Sequence, residues 1–238
     1  EKYPEVSSDP RPRLYGMPRW ADMFSPRQLL GMGTLVEELR GLRQEISDKE
    51  GPDQGAAVEH LLAFAIDKFL NYNAVLASWH APHEVMLSVF DRHDFAFKVT
   101  FAEMAPCGAG SGLAWAIDNT MDSWDKLARL ARASSVAPAT ISIGSATQLP
   151  QLASGSITAV IVDPPYDDNV QYSELADFFY VWLKRTQGHR HPDWFATYLC
   201  EHDEEAVVNV SWFREQCETP AAAKAKARTH YRRLMTET

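Results

Sequence analysis

The run of residues best suited to chemistry is Asp163, Pro164, Pro165 and Tyr166, which follows the apolar stretch 157–162. The two prolines remove backbone donors and restrict φ, so we expect a stiff turn whose carbonyl groups point outward. Asp163 and the Pro164 carbonyl are then two acceptors at a fixed separation, and Tyr166 offers a flat face beside them. This combination suits an exocyclic amino group on a planar ring.

Such an amine is a poor nucleophile because its lone pair is delocalised into the ring. Two acceptors that favour a pyramidal nitrogen localise the lone pair and lower the barrier to attack on an electrophilic methyl group. The expected catalysis is therefore positioning with electrostatic stabilisation. A base in duplex DNA has to leave the helix to reach a pocket of this kind.

Strands and helices alternate around this run. The apolar periodicity predicts strands over 95–101, 140–143 and 157–162, and helices over 113–133, 173–184 and 221–235. The strand over 157–162 is apolar on both faces, as a central parallel strand must be. Asp163 then lies at the carboxyl end of a strand, where open α/β sheets bind their ligands.

Helices precede the predicted sheet. Ser25, Pro26 and Gln28 form the start signal of the first, with a capping box and proline at the first helical position. The stretch 47–55 reads as a turn, and 56–78 is apolar nearly all round, which predicts an interior helix.

We therefore expect two units. Residues 1–90 form an extended lead-in and helices, and residues 91–238 form part of a Rossmann-like α/β core. The chain begins with Glu1 and ends at Thr238 inside a predicted helix, which we interpret as a segment of a longer protein.

Residues 163–166 match the catalytic motif of S-adenosylmethionine-dependent amino methyltransferases. The longer run 163–185 (DPPYDDNVQYSELADFFYVWLKR) resembles the large adenine-specific DNA methylases whose full-length members carry a zinc-ribbon insert. The runs 18–30 (PRWADMFSPRQLL) and 144–150 (GSATQLP) resemble the same family. The resemblance implies a Rossmann-like methyltransferase sheet, S-adenosylmethionine as cofactor and the N6 amino group of adenine in DNA as methyl acceptor.

The same resemblance assigns roles to individual residues. Those that hold the flipped adenine are Asp163, Pro164, Pro165 and Tyr166, and those that contact the cofactor are Phe24, Ser25, Pro26, Gly144 and Ser145. A capped helix start also suits the cofactor's carboxylate physically. Family members carry a glycine-rich cofactor loop upstream of the region where this chain starts. We interpret the local run 108–112 (GAGSG) as a flexible loop.

Composition sets broader limits. The chain has 238 residues, of which 45 % are hydrophobic and 23 % are charged, typical of a soluble globular protein. A net charge of −9 argues against a uniformly basic nucleic-acid coat. The basic stretch 219–238 is either a phosphate contact or a solvated helical face. Three widely spaced cysteines, without a CxxC pair, and the absence of a signal peptide favour a reducing, cytoplasmic setting.

Several other signals favour structural interpretations. We expect no metal at two sets of ligand types, which are Asp163, Asp167, Asp168, Glu174 and Asp177, and His189, His191, Cys200 and His202. For the first set, a solvated helix start explains the acids. Within the aromatic run 178–182, core packing is the interpretation for Phe179 and Trp182.

Alternatives to adenine methylation stay open. The same motif serves N4 of cytosine, because both targets are exocyclic amines, and a related motif serves N2 of guanine in RNA. A different class is a non-catalytic DNA-binding or scaffold module of a larger assembly. Methylation of this kind usually marks self DNA in restriction or phage-defence systems, whose subunits or other segments of the same protein are then further partners.

Overall fold

A computed structural model describes residues 1–91, 94, 95, 97, 101–108, 110–133 and 139–238. The α-helices are Arg11–Leu14 (α1), Pro26–Glu50 (α2), Pro52–Leu70 (α3), Gly112–Ala133 (α4), Tyr172–Gln187 (α5), Val210–Arg214 (α6) and Pro220–Glu237 (α7). The strands Ser78–His80 (β1) and Val85–Leu87 (β2) form an antiparallel pair in which Trp79 lies opposite Met86. Just over half of the described residues are helical.

Helix α2 begins as predicted. The Ser25 hydroxyl accepts the backbone N–H of Gln28 at 3.1 Å, and the Gln28 side-chain oxygen accepts the N–H of Ser25 at 2.9 Å. Pro26 occupies the first helical position, where its missing donor costs nothing. The capping box is therefore confirmed.

The turn predicted over 47–55 is wrong. Helix α2 continues to Glu50, and α3 begins at Pro52, so Gly51 alone joins the two helices, with a φ of 80°. Gly51 adopts this left-handed conformation without a Cβ penalty. Pro52 directly follows Gly51 and is the first residue of α3. The Gly-Pro pair is typical of a helix end, but proline is also tolerated in the first turn of a helix, and the composition of 47–55 does not distinguish the two.

Helix α3 is shorter than predicted, and only one of its faces is interior. Ala63, Ile66 and Phe69 are buried, whereas Phe64 on the other side is 53 % exposed. Buried Glu59 accepts hydrogen bonds from Arg43 of α2 at 2.7 Å and from Arg190, beyond α5, at 2.5 Å. This carboxylate therefore links three parts of the chain.

Helix α5 lies against the aromatic core. Phe178 is buried and stacks on Phe24 with ring centroids 5.7 Å apart, and Trp182 meets Phe24 edge-on at 5.4 Å. Phe179 is partly buried against the same core. Core packing is thus confirmed for Trp182 and Phe179.

The prediction of strands at 140–143 and 157–162 is wrong for this structure, in which neither segment is a strand. Both segments run without regular structure, and Ile161 is 94 % exposed. A strand forms only with a partner that completes its hydrogen bonds, and no described segment pairs with either of them. The described residues 95, 97 and 101 of the third predicted strand are also outside any strand, and 96 and 98–100 lie outside the described residues.

The architecture in the described ranges is therefore mixed: helices precede and follow a single two-stranded antiparallel sheet, in place of the predicted Rossmann-like core. The helices predicted over 113–133, 173–184 and 221–235 are confirmed as α4, α5 and α7. In the part of the chain that the structure describes, no helix is both long enough and apolar enough to cross a bilayer.

Candidate functional site

The turn formed by 163–166 is on the surface. Tyr166 is 58 % exposed, and its hydroxyl donates to Asp163 Oδ1 at 3.2 Å. This hydrogen bond, reinforced by the charge of Asp163, raises the pKa of Tyr166. The pair is local and leaves the ring of Tyr166 open to an incoming planar group.

Two contacts hold this turn against the C-terminal part of the chain. The hydroxyl of Tyr231 on α7 donates to the Pro165 carbonyl at 3.2 Å. The N–H of Val208 donates to the carbonyl of Asp167 at 2.9 Å, and Asp167 itself has a φ of 38°. The turn is therefore positioned by long-range contacts as well as by its prolines.

The acids at the start of α5 are buried, which corrects the expectation of a solvated helix start. Glu174 accepts hydrogen bonds from Ser7 at 2.8 Å, from Ser8 at 2.6 Å and from the Asn209 amide at 2.8 Å. It ties the beginning of the chain to α5 and to the residue that caps α6. Burial of an acid is tolerated when its oxygens are hydrogen-bonded in this way.

Asp177 is fully buried one turn further along α5. Its oxygens accept the backbone N–H of Cys200 at 2.7 Å and Nε2 of His202 at 3.0 Å. Burial, followed by the charge of Asp177, raises the pKa of Cys200, so this thiol is a poor nucleophile.

The four possible metal ligands in the loop after α5 contact different residues. Asp177 accepts from both Cys200 and His202, whereas the other two ligands lie against other side chains. His189 faces Glu59 at 3.3 Å, whereas His202 faces Asp177. The ring of His191 stacks on Trp194 with centroids 3.8 Å apart. Among the described residues, no group of three or more His, Cys, Asp or Glu side chains is arranged to hold a metal ion.

The predicted cofactor element 24–26 meets a segment that the sequence did not connect to it. The side chain of Phe24 is buried in the core, whereas Ser25 is at the surface of α2's first turn. The Ser25 hydroxyl donates to Glu103 Oε1 at 2.6 Å, and Arg27 Nε donates to Glu103 Oε2 at 2.7 Å. The Ser25 hydrogen bond, together with Arg27, lowers the pKa of Glu103.

A cavity of about 370 Å³ opens at this helix start. Its walls include Arg27, Gln28, Asn73 and Glu103. Gln28 is only 2 % exposed, and its side-chain Nε2 has no hydrogen-bond partner among the described residues. A buried donor without a partner is costly, and a ligand oxygen would relieve that cost.

A second cavity, of about 440 Å³, shares Glu103, Met104 and Ala105 with the first. Its other walls include Gly110 and Ser111 of the loop 108–112, Glu84 and Val85 of the β1–β2 hairpin, and three aromatic residues, which are Tyr72, Trp79 and Trp115. The loop approaches the shared segment closely, because a Cβ added at Gly112 would lie 2.2 Å from the Ala105 carbonyl oxygen. Ala109 of this loop lies outside the described residues.

The other predicted cofactor residues, Gly144 and Ser145, line a third cavity, of about 810 Å³. Tyr172, Tyr180 and Trp194 are among its walls. The Ser145 hydroxyl is 2.8 Å from that of Thr147, a local contact within the turn. Of the residues that the structure describes, none lines both this cavity and either of the two cavities at α2.

The structure therefore groups the predicted residues into three places. Ser25 and Pro26 lie at the start of α2, Gly144 and Ser145 lie in the third cavity, and the turn 163–166 lines none of these cavities. Sequence reasoning missed Gln28 as a free donor because the capping box accounts for only its oxygen. It also missed Trp79, whose position on a short hairpin no periodicity indicates.

Comparison with known proteins adds no relative. No protein-family model, curated protein or solved structure matches the chain.

Proposed function

We propose that the protein transfers a methyl group from S-adenosylmethionine to the N6 amino group of adenine in DNA. The observation that carries the proposal is the exposed turn 163–166, in which a carboxylate, two prolines and an open aromatic ring stand together. The position of this turn directly before α5 agrees with the resemblance of 163–185 to adenine-specific DNA methylases.

The chemistry follows from the residues of the turn. Asp163 and the Pro164 carbonyl accept the two N–H bonds of the adenine amine, while the base stacks on Tyr166. Asp163 has a second oxygen besides the one that faces Tyr166, so it can accept from the amine without losing that contact. These acceptors favour the pyramidal nitrogen of the transition state and stabilise the positive charge that develops on it.

The cofactor supplies an electrophilic methyl group when bound. Two features of the first cavity fit its amino-acid half: the start of a 25-residue helix, and the Nε2 of Gln28, for which the described part of the chain supplies no acceptor. Ser25 and Pro26 therefore remain our proposed contacts for that half. The resemblance places Gly144 and Ser145 near the cofactor's adenine.

The proposed activity needs a sheet. We infer that 140–143 and 157–162 pair as parallel strands of a Rossmann-like core in the active protein. The apolar side chains of both segments are exposed, Ile141 at 92 % and Ile161 at 94 % among them, and 157–162 leads directly into the turn 163–166. Strand pairing would bury these side chains and satisfy the backbone groups of both segments.

The proposed substrate is a base flipped out of duplex DNA, in a cytoplasmic restriction or phage-defence system. The net charge of −9 is compatible with this because a flipping enzyme needs a focused contact rather than a basic coat. Helix α7 has five exposed basic residues, which are Lys224, Lys226, Arg228, Arg232 and Arg233. Its Tyr231 contacts the proposed base-binding turn, so phosphate contacts by α7 would lie near the substrate.

The test is methyl transfer from labelled S-adenosylmethionine to unmethylated duplex DNA. We expect Asp163→Ala to lower the rate by at least about a hundredfold, because one stabilising acceptor is lost. Cofactor affinity should stay within a few fold of the wild-type value. Asp168→Asn is the matched control, because Asp168 is an exposed acid just beyond the turn.

Mass spectrometry of the digested DNA identifies the product. N6-methyladenine is the expected nucleoside, and N4-methylcytosine would contradict the choice of base. Wild-type protein that transfers no label to DNA, or Asp163→Ala that retains full activity, would overturn the proposed role of the turn.

A further inference from the structure

Two histidine rings meet between α3 and the loop after α5. Nε2 of His60 lies 2.8 Å from Nε2 of His191, at hydrogen-bond distance. The two residues are 131 positions apart in the sequence, and both are partly buried. Because two nitrogens at this distance need one hydrogen between them, the contact depends on how many protons the pair carries.

A second hydrogen bond fixes the positions of the hydrogens in the neutral pair. Nδ1 of His60 lies 2.7 Å from the carbonyl oxygen of Ala56, one turn earlier in α3. A carbonyl group only accepts, so Nδ1 carries a hydrogen, and we assign Nε2 of neutral His60 as an acceptor. Neutral His191 must then donate from its Nε2.

The pair can take up one further proton without losing this contact, but not two. When His60 is protonated, both of its nitrogens donate, and neutral His191 accepts at Nε2 by carrying its hydrogen on Nδ1. A second proton leaves an N–H group on each of the two facing nitrogens. The hydrogen bond is then lost, and two positive charges face each other.

The charged groups next to the pair also disfavour the second proton. The carboxylate of Glu59, the residue before His60, pairs with Arg43 of α2 and with Arg190 of the loop. His189 faces the same carboxylate at 3.3 Å. One negative charge therefore stands against two arginine charges, and the surplus is positive.

The neighbouring helix α4 adds no negative charge to this environment. The α4 side chains that line a cavity with His60 are uncharged, and they are Asn119, Thr120, Ser123, Trp124 and Leu127. Lys68 of α3, another wall of that cavity, is positively charged. Burial, followed by the charges of His60 and Arg190, lowers the pKa of His191.

The segment that follows His191 is fixed to α5 at its other end. The Thr197 carbonyl accepts a hydrogen bond from Nζ of Lys184 at 2.6 Å. Between these two ends, the ring of Trp194 stacks on that of His191 with centroids 3.8 Å apart. Because Trp194 is a wall of the third cavity, the contact between the two histidines also positions that wall.

We propose that His60 and His191 form a pH-dependent latch, which holds the segment 191–196 against α3 until both rings are protonated and then releases it. The second proton binds below the ordinary histidine pKa of about 6.5. The stability that the latch contributes is thus present above about pH 6.5 and is lost as the pH falls. Release frees Trp194 and opens the third cavity on that side. The latch does not depend on the proposed function.

The first test is hydrogen exchange of the full 238-residue chain. The N–H of Trp194 donates to the His191 carbonyl at 3.1 Å, so the protection of this amide reports whether the segment is held. After correction for the intrinsic pH dependence of exchange, we expect its protection to fall at least about tenfold from about pH 7.5 to about pH 5. EDTA in every sample prevents a contaminating metal ion from bridging the two rings.

His60→Gln is the deciding variant, because a glutamine side chain donates and accepts but takes up no proton in this pH range. We expect the protection of the Trp194 amide to agree within about twofold at the two pH values. His191→Gln should abolish the pH dependence in the same way, and it decides the matter if His60→Gln does not fold. Circular dichroism verifies the fold of each variant.

His189→Gln is the matched control, because His189 belongs to the same loop but faces Glu59 instead of the pair. It should retain the wild-type fall in protection. A fall that disappears in His189→Gln and persists in His60→Gln would overturn the proposal and assign the pH dependence to Glu59 and its partners.

Nuclear magnetic resonance of the imidazole nitrogens counts the protons directly. We expect His60 and His191 to titrate as a pair in two steps at least about one pH unit apart. Independent single-step titration of the two rings would overturn the proposal, as would wild-type Trp194 protection that does not change with pH. None of these results depends on methyl transfer, so the proposed function is decided separately by label transfer to DNA.

Discussion

The buried side chain of Asp177 holds the loop after α5 through two hydrogen bonds. It has no exposed surface, and its two oxygens take the N–H of Cys200 and the ring of His202 from the loop after α5. Burial lowers the pKa of His202, but the hydrogen bond and charge of Asp177, with Glu174 and Glu205 nearby, raise it above its usual value. A protonated His202 is therefore stabilised in the folded protein.

The sign of the pH dependence follows. A histidine with a raised pKa contributes its full stability below its unfolded pKa of about 6.5 and loses that contribution as the pH rises through the folded value. We expect His202→Gln to lower the free energy of unfolding more at about pH 5.5 than at about pH 9. Urea unfolding at both pH values measures the difference.

His83→Gln is the matched control for this experiment. His83 is exposed in the short turn between β1 and β2, and its ring stacks on that of His80. Its effect should be small at both pH values. A cost of His202→Gln that is the same at both pH values would show that the charge of His202 is not what Asp177 stabilises.

At the scale of elements, α2 and α3 form a helical hairpin, and α4 and α5 pack against it. Gly51 is their whole connection, and buried Glu59 joins them through Arg43. The capping box at Ser25 and Gln28 is built from neighbours in sequence, and it was predicted. The single-residue connection was not, because it depends on how the two helices pack.

Alanine is expected to have opposite effects at two of the glycines in this hairpin. Gly51→Ala should destabilise the protein by about 1–2 kcal/mol, because alanine is strained at a φ of 80°. Gly41→Ala should stabilise it by about 0.5–1 kcal/mol, because Gly41 is exposed inside α2 and a Cβ there has no atom within 4 Å. Chemical denaturation of both variants tests the pair, and a Gly51→Ala variant that is as stable as the wild type would contradict the assigned conformation of Gly51.

At the scale of the whole molecule, the helices and the stretch 139–171 differ in how they are held. The core links α2, α3 and α5 through Val36, Ile66 and Phe178, all of them buried. In contrast, 157–162 is exposed, and no hydrogen bond between described residues involves its backbone amides. Apolar strand-forming residues are thus kept outside the core.

Hydrogen exchange measures this contrast. In the free chain, the amides of 157–162 should exchange within about tenfold of the rate of an unstructured peptide, whereas those of the buried face of α3 should be strongly protected. If the proposed strand pairing accompanies binding, S-adenosylhomocysteine with duplex DNA should slow exchange at 157–162. Amides of 157–162 that are already protected like those of α3 in the free chain would contradict the described arrangement.

Local features could be predicted without the structure: the cap at Ser25, the extents of α4, α5 and α7, and the core position of Trp182. These depend on residues within a few turns of one another, which the 3.6-residue period and side-chain capping reveal. The burial of Glu174 and Asp177 and the contact between Glu103 and Ser25, 78 positions apart, depend on long-range packing and could not be predicted. The predicted strands at 140–143 and 157–162 belong to this second group, because a strand exists only when a distant segment supplies its hydrogen bonds.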